Sequence, residues 1–404
     1  MADFGGDAEA FRLEARSWLE ENFPKSLKDN PAAQMAAAMG GMSESADARL
    51  WRERMGAKGW GVPTWPKQYG GGGLSRLEAR VLAEEMARIG ARNPIGGMGV
   101  SMFGPTLLEY GTEEQKAKHI PPICRGELRW CQGYSEPGAG SDLASLQTRC
   151  EDMGDHYLVN GQKIWTSGAQ YADWCYCLVR TDPKAKKHEG ISFLMIDMKS
   201  PGVEVRPILL INGTSPFCET FFTDVKVPKE NLWGPKNGGW TVGKRLLQFE
   251  RDSISAGLGG GNIGAAASAM AVEDYARKYI GLDETGRLAD ADYRRRLIDH
   301  KMENRAFQLT VRRAADEAKS NQGPSAASSI MKYAGAKIAQ ERTELTIEAM
   351  GQAGLGWEGE GFDRDELANV RAWLRAKANS IEGGSSEINL NVVSKRVLGL
   401  PDPK

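Results

Sequence analysis

The stretch at residues 131–148, CQGYSEPGAGSDLASLQT, decides how the rest of this chain is interpreted. Pro137 and the glycines Gly138 and Gly140 disfavour both a regular helix and a central strand, so a shaped turn between two elements is predicted. Exposed peptide groups and short hydroxyls would suit a loop that wraps a polar ligand. Taken alone, the segment is explained equally well as an ordinary surface turn.

The composition excludes several classes of protein. The chain has 404 residues, of which 41% are hydrophobic and 26% are charged, and its formal net charge is −1. A charge this close to zero provides no attraction for nucleic acid or for an anionic membrane. No run approaches the roughly 18 apolar residues of a membrane span, and the first residues lack the basic and apolar regions of a secretory signal. We therefore expect a cytoplasmic protein without nucleic-acid or membrane partners.

The cysteines and histidines indicate neither a metal site nor a disulfide framework. Six cysteines and four histidines are scattered along the chain, and no two cysteines have the C-x-x-C spacing. A zinc site needs clustered ligands, and a disulfide framework is typical of small secreted chains, so neither is expected. Few histidines and no recognisable nucleophile elbow also disfavour catalysis by a Cys-His or Ser-His pair.

Hydrophobic periodicity predicts an α+β protein of three domains. Helical spacing runs through residues 1–127, which are predicted to form an N-terminal α-helical domain. Residues 128–237 change to a period of two and include Asn160-Gly161, a strong hairpin signal, so a central antiparallel β-barrel domain is predicted. Residues 238–404 return to helical spacing with lengths suited to an antiparallel C-terminal bundle.

The first helix of the bundle is predicted to extend without interruption over residues 240–278. Within it, residues 259–264 read GGGNIG and match the G-x-G-x-x-G pattern. That pattern binds dinucleotides when it follows a strand, whereas here it follows a helical stretch. A Rossmann domain is therefore not expected.

Two further motifs follow the opening loop in order. They are KIWTSG at residues 163–168 and IEGGSSEI at residues 381–388. The ordered trio resembles the acyl-CoA dehydrogenase family of flavoproteins over nearly the whole chain. The resemblance implies an FAD-dependent enzyme that desaturates an acyl-CoA thioester between Cα and Cβ. It also implies electron-transfer flavoprotein as the electron acceptor and assembly as a homodimer or homotetramer.

The resemblance also implies which residues form the site. FAD would lie between the β domain and the C-terminal bundle, and its expected contacts are Gln132, Tyr134, Ser135, Trp165, Ser167, Gly351, Ser385 and Glu387. The acyl-CoA is expected to contact Ser141, Arg251, Glu382 and Gly383. A tryptophan such as Trp165 is ordinarily a core aromatic, but its place in the motif favours a contact with the cofactor.

Desaturation needs a carboxylate base, hydrogen bonds to the thioester oxygen and a dry site. Many relatives carry the base in the C-terminal loop, at the position that is Gly383 here, with Glu382 one residue earlier. Relatives that act on long or branched acyl groups place it on the first bundle helix, where this sequence has Glu250 followed by Arg251. Glu250 is therefore the preferred base and Glu382 the alternative. Without the resemblance, Glu250 would be an ordinary helix-surface charge.

The resemblance leaves the reaction and the substrate incompletely defined. One fold hosts several chemistries, so an acyl-CoA oxidase, a flavin monooxygenase and a non-catalytic flavoprotein subunit of a hetero-oligomer stay open. The acyl group is expected to be long, branched, dicarboxylic, cyclic or derived from a sterol.

Overall fold

The computed structural model describes residues 6–30, 33–34, 44–259, 270–319 and 328–401. The chain forms two compact units. The first comprises Met1–Ile208 with Pro216–Glu250, and the second comprises Leu209–Ser215 with Arg251–Lys404. Helical regions therefore stand on both sides of the central strands along the chain, as the sequence predicts. The domain boundaries at 127/128 and 237/238 stay predictions.

In the described part of the first unit, the α-helices before the strands are α1 to α5, with the bounds Gly6–Asn22, Ala46–Lys58, Arg76–Arg88, Gly104–Tyr110 and Glu113–Cys124. Capping boxes start two of them, Ser75 with Glu78 at α3 and Thr112 with Gln115 at α5. Each box satisfies backbone N–H groups that the first helical turn leaves without partners. Among the described residues, no helix has both the length and the apolar character to cross a membrane.

A buried carboxylate connects α1 to α3. The Glu85 side chain is only 3% exposed and accepts hydrogen bonds from the guanidinium groups of Arg12, Arg16 and Arg88. These bonds, led by the one from Arg16, outweigh burial and lower the pKa of Glu85 to about 2. The carboxylate is therefore ionised throughout the physiological range and holds the two helices together.

Eight strands follow and form one sheet. Their bounds, from β1 to β8, are Trp130–Gly133, Arg149–Asp152, His156–Ser167, Trp174–Arg180, Ile191–Asp197, Val203–Ile208, Phe217–Pro228 and Leu232–Trp233. The order is β6-β7-β3-β2-β4-β5-β8, with β1 beside β4. Most pairs are antiparallel, but β1 and β2 each pair with β4 in parallel.

The central domain is rich in antiparallel pairs, as predicted, but the predicted barrel is wrong, because the sheet has open edges at β6 and β8. Strand β8 has only two residues, which is too short to extend the sheet further. Strand β6 carries Pro207, which has no N–H to donate, and the exposed charges of Glu204 and Arg206. Proline and charge are typical of a strand that ends a sheet.

The hairpin predicted at Asn160-Gly161 is also wrong, since β3 continues through this dipeptide without a turn. The long strand β7 pairs with β3 on both sides of it, with a shift in register between Val159 and Gly161. A Cβ added to Gly161 would lie 2.7 Å from the Cα of Thr148. The glycine therefore admits a close approach of two backbones inside a strand instead of forming a turn.

The remaining α-helices of the described residues, α6 to α11, are Gly239–Gly259, Val272–Tyr279, Ala291–Lys319, Ser328–Met350, Arg364–Ala376 and Ser386–Val392. The single helix predicted over 240–278 is wrong, because Ala271 has an extended backbone and is the N-cap residue that precedes α7. The GGGNIG motif at 259–264 lies almost entirely outside the described residues. In the second unit, buried side chains from α7, α8 and α9 form a core that includes Tyr275, Tyr293 and Leu345.

Candidate active site

The loop that follows β1 is a tight turn closed by two backbone hydrogen bonds. The N–H of Glu136 donates to the oxygen of Ala139 at 3.1 Å, and the N–H of Ala139 donates to the oxygen of Glu136 at 3.0 Å. Pro137 and Gly138 form the exposed tip. The predicted turn is confirmed, and the sequence places proline and glycine where the backbone bends.

A buried ion pair, formed by Glu136 and Lys163 and here called the loop clamp, holds this turn against β3. The Lys163 side chain is fully buried, and its Nζ donates to Oε1 of Glu136 at 2.8 Å and to the oxygen of Tyr134 at 3.1 Å. Oε1 of Glu136 also accepts the N–H of Thr148 at 2.9 Å, and Oε2 accepts the N–H of Gln147 at 2.6 Å. One carboxylate thus joins both ends of the loop to β3.

Two opposing effects act on the pKa of Glu136. Burial raises it, but the charge of Lys163 and the hydrogen bonds from Lys163, Thr148 and Gln147 together outweigh burial, so the pKa is lowered. Arg180 holds the far end of the loop by donating to the oxygens of Ala144 at 2.6 Å and Leu146 at 3.2 Å. The motifs alone predict no role for Glu136, Lys163 or Arg180, although Lys163 shares the buried, alternate positions of β3 with Tyr157, which is a usable signal.

Trp165 occupies a strained position. Between the pairs Lys163–Thr220 and Thr166–Cys218, strand β3 has one residue more than β7, which makes a β-bulge. Trp165 has a φ of +61° there, and its side chain is 52% exposed. A positive φ costs a bulky residue about 1 to 3 kcal/mol and is concentrated at functional sites. The bulge therefore presents a large aromatic face instead of burying it.

The structure brings three predicted cofactor residues together around this bulge. The N–H of Ile164, next to Trp165, donates to the oxygen of Ser135 at 2.9 Å. Ser167 is half-buried at the end of β3, where it pairs with Phe217. The Phe217 ring lies edge-on to Trp165, with ring centres 6.1 Å apart. Ser135, Trp165 and Ser167 thus belong to one local surface of the first unit.

Gln132 and Tyr134, predicted as cofactor contacts, lie near the predicted base. The Gln132 amide nitrogen is 3.5 Å from Oε2 of Glu250, and its oxygen accepts the hydroxyl of Tyr176 at 3.1 Å. The Tyr134 hydroxyl is 3.4 Å from the oxygen of Gly243 in α6. Burial, followed by nearby negative groups that include Glu250, raises the pKa of Tyr134 and of Tyr176. Both tyrosines are therefore neutral donors near neutral pH.

The predicted substrate residues have mixed surroundings. Ser141 is exposed beside Asp142, whose carboxylate pairs with Lys187. Arg251 lies in α6, but its side chain is outside the described part of the structure. Both amino groups of the Arg375 guanidinium donate to the Glu382 carboxylate, at 3.1 and 2.7 Å. Glu382, the alternative base, is therefore already engaged in a bidentate ion pair.

The C-terminal motif forms a bend into α11 within the second unit. Gly383 and Gly384 have φ values of +62° and +91°, which glycine adopts without strain. Ser385 caps α11 by accepting the N–H of Ile388 at 3.3 Å. Glu387 is exposed in the first turn of α11, and a hydrogen bond from its own backbone N–H leads the effects that lower its pKa.

Gly351, the remaining predicted contact, lies in the second unit at the start of a 3₁₀-helix over Gly351–Leu355. It is exposed with a φ of +55°, and an added Cβ would meet no atom within 4 Å. A phosphate could therefore approach its backbone without obstruction. A flavin dinucleotide has a flat ring with a polar edge, which the exposed Trp165 face and the hydroxyls of Ser135 and Ser167 fit.

Three family models match the chain in succession. The N-terminal domain of acyl-CoA dehydrogenase matches residues 6–127, the middle domain matches residues 131–225, and the C-terminal domain matches residues 237–398. The chain belongs to the acyl-CoA dehydrogenase family. It is an oxidoreductase that acts on acyl-CoA and uses a flavin cofactor.

Individual relatives are similar to this chain over nearly the full length of both proteins. The acyl-CoA dehydrogenase IpdE1 of Mycobacterium tuberculosis is 36% identical over 405 residues, which cover 98% of each chain. A solved structure described as "Tcur3481-Tcur3483 steroid ACAD" is 30% identical, with a TM-score of 0.73 and 98% of each chain covered. A chain of the ChsE4-ChsE5 complex of Mycobacterium tuberculosis is 30% identical, with a TM-score of 0.70. The match covers 100% of this chain and 100% of that chain.

Proposed function

We propose that this protein is an FAD-dependent acyl-CoA dehydrogenase that desaturates a bulky, ring-containing acyl group, with Glu250 as the base. The observation that carries the proposal is the position of Glu250, whose carboxylate lies 3.5 Å from the amide of Gln132, three residues before Ser135 of the loop. A carboxylate on a helix, facing a neutral donor beside the expected flavin surface, suits proton removal from a bound substrate.

The reaction divides between the protein and its cofactor. Glu250 would take the proton from Cα of the thioester, and FAD held by the residues named below would supply the acceptor for the hydride from Cβ. The half-buried position of Glu250 in α6 limits its exchange with water. The distance of 3.5 Å to Gln132 is longer than an ordinary N–H···O bond, and such contacts often shorten when substrate binds.

The alternative base, Glu382, is less suited to proton transfer. Receiving a proton would break the two charge-assisted hydrogen bonds that Arg375 donates to it. We therefore assign Glu382 to holding the bend at Gly383 and Gly384, which follows it directly.

The residues that would hold the ligands are assigned on the same basis. Those proposed for the flavin ring are Gln132, Tyr134, Ser135, Trp165 and Ser167, and those for the pyrophosphate and adenine are Gly351, Ser385 and Glu387. Ser141, Arg251 and the Gly383 backbone are proposed for acyl-CoA.

One solved relative supports a ring-containing substrate, and two solved relatives support a two-component assembly. One solved relative is described as a steroid ACAD and carries the names of two proteins, and the other solved relative is a complex of two named proteins. A hetero-oligomer with a second family member is therefore our second candidate beside the homodimer or homotetramer. Electron-transfer flavoprotein is the proposed electron acceptor, and the proposed location is cytoplasmic.

A pair of matched substitutions tests the base. Glu250→Gln should retain folding and flavin content but lower the rate of flavin reduction by acyl-CoA at least ~10²-fold, the usual scale for loss of a general base. Glu382→Gln makes the same chemical change and should cost far less. The measurement is anaerobic flavin bleaching by a panel of acyl-CoA thioesters, from short linear chains to sterol-derived ones. The opposite ranking of the two variants would move the base to the loop.

A further inference from the structure

A fully buried tyrosine stands behind the glutamine that faces the base. Tyr176 lies in the middle of β4 with no exposed surface, directly beside Gln132 in the parallel pairing of β1 and β4. Its hydroxyl donates to the amide oxygen of Gln132 at 3.1 Å. The phenol is neutral near neutral pH, because its ordinary pKa of about 10 is raised further by burial. It can therefore serve as a hydrogen-bond donor throughout the working range.

This hydrogen bond selects one orientation of the Gln132 amide. A glutamine amide has an acceptor oxygen on one side and a donor NH₂ group on the other. When the Tyr176 hydroxyl takes the oxygen, the NH₂ group is left toward Glu250, 3.5 Å from its carboxylate. In the reversed orientation, the amide oxygen would face the negative carboxylate and repel it.

The strand that carries Gln132 is itself held closely against β4. A Cβ added to Gly133, the next residue, would lie 2.9 Å from the sulfur atoms of both Cys175 and Cys177. These two thiols are fully buried on either side of Tyr176 in β4. The backbone of β1 therefore has little freedom, and the orientation of the amide is decided by its hydrogen-bond partners.

We propose that Tyr176 is a positioning residue for the proton-transfer step: through Gln132 it keeps an N–H donor aimed at the Glu250 carboxylate. This inference rests on the proposed function, since it assumes that Glu250 is the base. Tyr176 touches neither substrate nor cofactor in this role and acts only through Gln132.

A double-mutant cycle on the rate of flavin reduction tests the inference. Tyr176→Phe should lower the rate constant about 2- to 12-fold, the range for one net hydrogen bond, with flavin content and KM unchanged. In a Gln132→Leu background, the same substitution should change the rate less than about 2-fold. Substrate deuterated at Cα should show a larger isotope effect in Tyr176→Phe than in the wild type, because the affected step is proton removal.

Tyr134→Phe is the matched control. It removes the same hydroxyl from the other buried tyrosine near Glu250, but that hydroxyl faces the oxygen of Gly243 instead of Gln132. Its effect should therefore be the same, within about 2-fold, in the wild-type and Gln132→Leu backgrounds.

A second readout needs no substrate. The same cycle, measured as the equilibrium constant for urea unfolding, should show a coupling of about 2- to 12-fold between Tyr176 and Gln132. Additive effects in the kinetic cycle, or a Tyr176→Phe variant that changes KM or flavin content alone, would overturn the inference. If the wild type oxidises no acyl-CoA, the proposed function and the inference both fall, and coupling in the unfolding cycle would identify the hydrogen bond as purely structural.

Discussion

Replacing Lys163 by methionine should loosen the loop over residues 134–148. The substitution keeps the chain length but removes the two hydrogen bonds and the charge that the fully buried ammonium group supplies to Glu136 and Tyr134. Breaking a buried ion pair costs about 3 to 5 kcal/mol. We expect about 3 kcal/mol, because Gln147 and Thr148 still donate to the carboxylate. Amides of the loop should then exchange with deuterium about 10²-fold faster.

The cost should depend on pH in a defined direction. In the wild type, the pKa of Glu136 is lowered, so its ionised form stabilises the fold above the usual carboxyl range, and this contribution is lost as pH falls. In Lys163→Met, burial acts without the opposing charge of Lys163, and the pKa of Glu136 is expected to rise. The ionised carboxylate then destabilises the fold instead of stabilising it. The difference between the two proteins should therefore be largest near neutral pH and shrink below about pH 4.5.

Hydrogen–deuterium exchange read by mass spectrometry, with both proteins compared at each pH, measures both effects. Lys199→Met is the matched control, because Lys199 pairs with Asp173 at 3.4 Å but is 79% exposed. It should cost less than about 1 kcal/mol. Adding Glu136→Gln to Lys163→Met should recover part of the lost loop stability, because no unpaired buried charge is then left. Equal exchange in the two lysine variants, or a cost that does not change with pH, would refute the role of the loop clamp.

Two further predictions concern single residues. Trp165→Gly should leave the unfolding free energy of the flavin-free protein unchanged or raise it by about 1 kcal/mol, since it relieves a φ of +61°, while flavin affinity falls. Urea unfolding and flavin titration measure the two effects, and a large loss of stability would show that packing, not a ligand, holds the bulge. His119 is 1% exposed, and burial lowers its pKa to about 4. Because the folded state keeps this histidine neutral, the unfolding free energy of the protein should fall by roughly 3 kcal/mol as pH falls from about 6.5 to 4. The unfolding free energy of His119→Leu should therefore decrease less over that range, as measured by urea unfolding at each pH.

The sequence by itself determined the features that depend only on residues adjacent in the sequence. Pro137 and Gly138 predict the turn between Glu136 and Ala139, because their backbone preferences act locally. The change from helical spacing to a period of two predicts helices on both sides of a sheet. Three motifs in the right order are sufficient to identify the family, because each motif is a local residue pattern that does not depend on the sequence between the motifs.

Only the tertiary structure decided which of several locally allowed conformations the chain adopts. Asn160-Gly161 can form a hairpin turn, yet β7 pairs along both halves of β3 and keeps the strand continuous. Whether the sheet closes into a barrel likewise depends on which strands pair at its ends, and here β6 and β8 do not pair with each other. Sheet pairing is set by contacts between residues far apart in sequence, which a period of two does not encode.

The site follows the same division. Glu250 and Glu382 are equivalent as sequence letters, and each stands in a segment where the family places its base. Arg375, seven residues before Glu382, engages one of them, and Gln132, 118 residues before Glu250, faces the other. The resemblance already prefers Glu250, and these contacts support that proposal, because a side chain's chemical role depends on the groups that folding places around it.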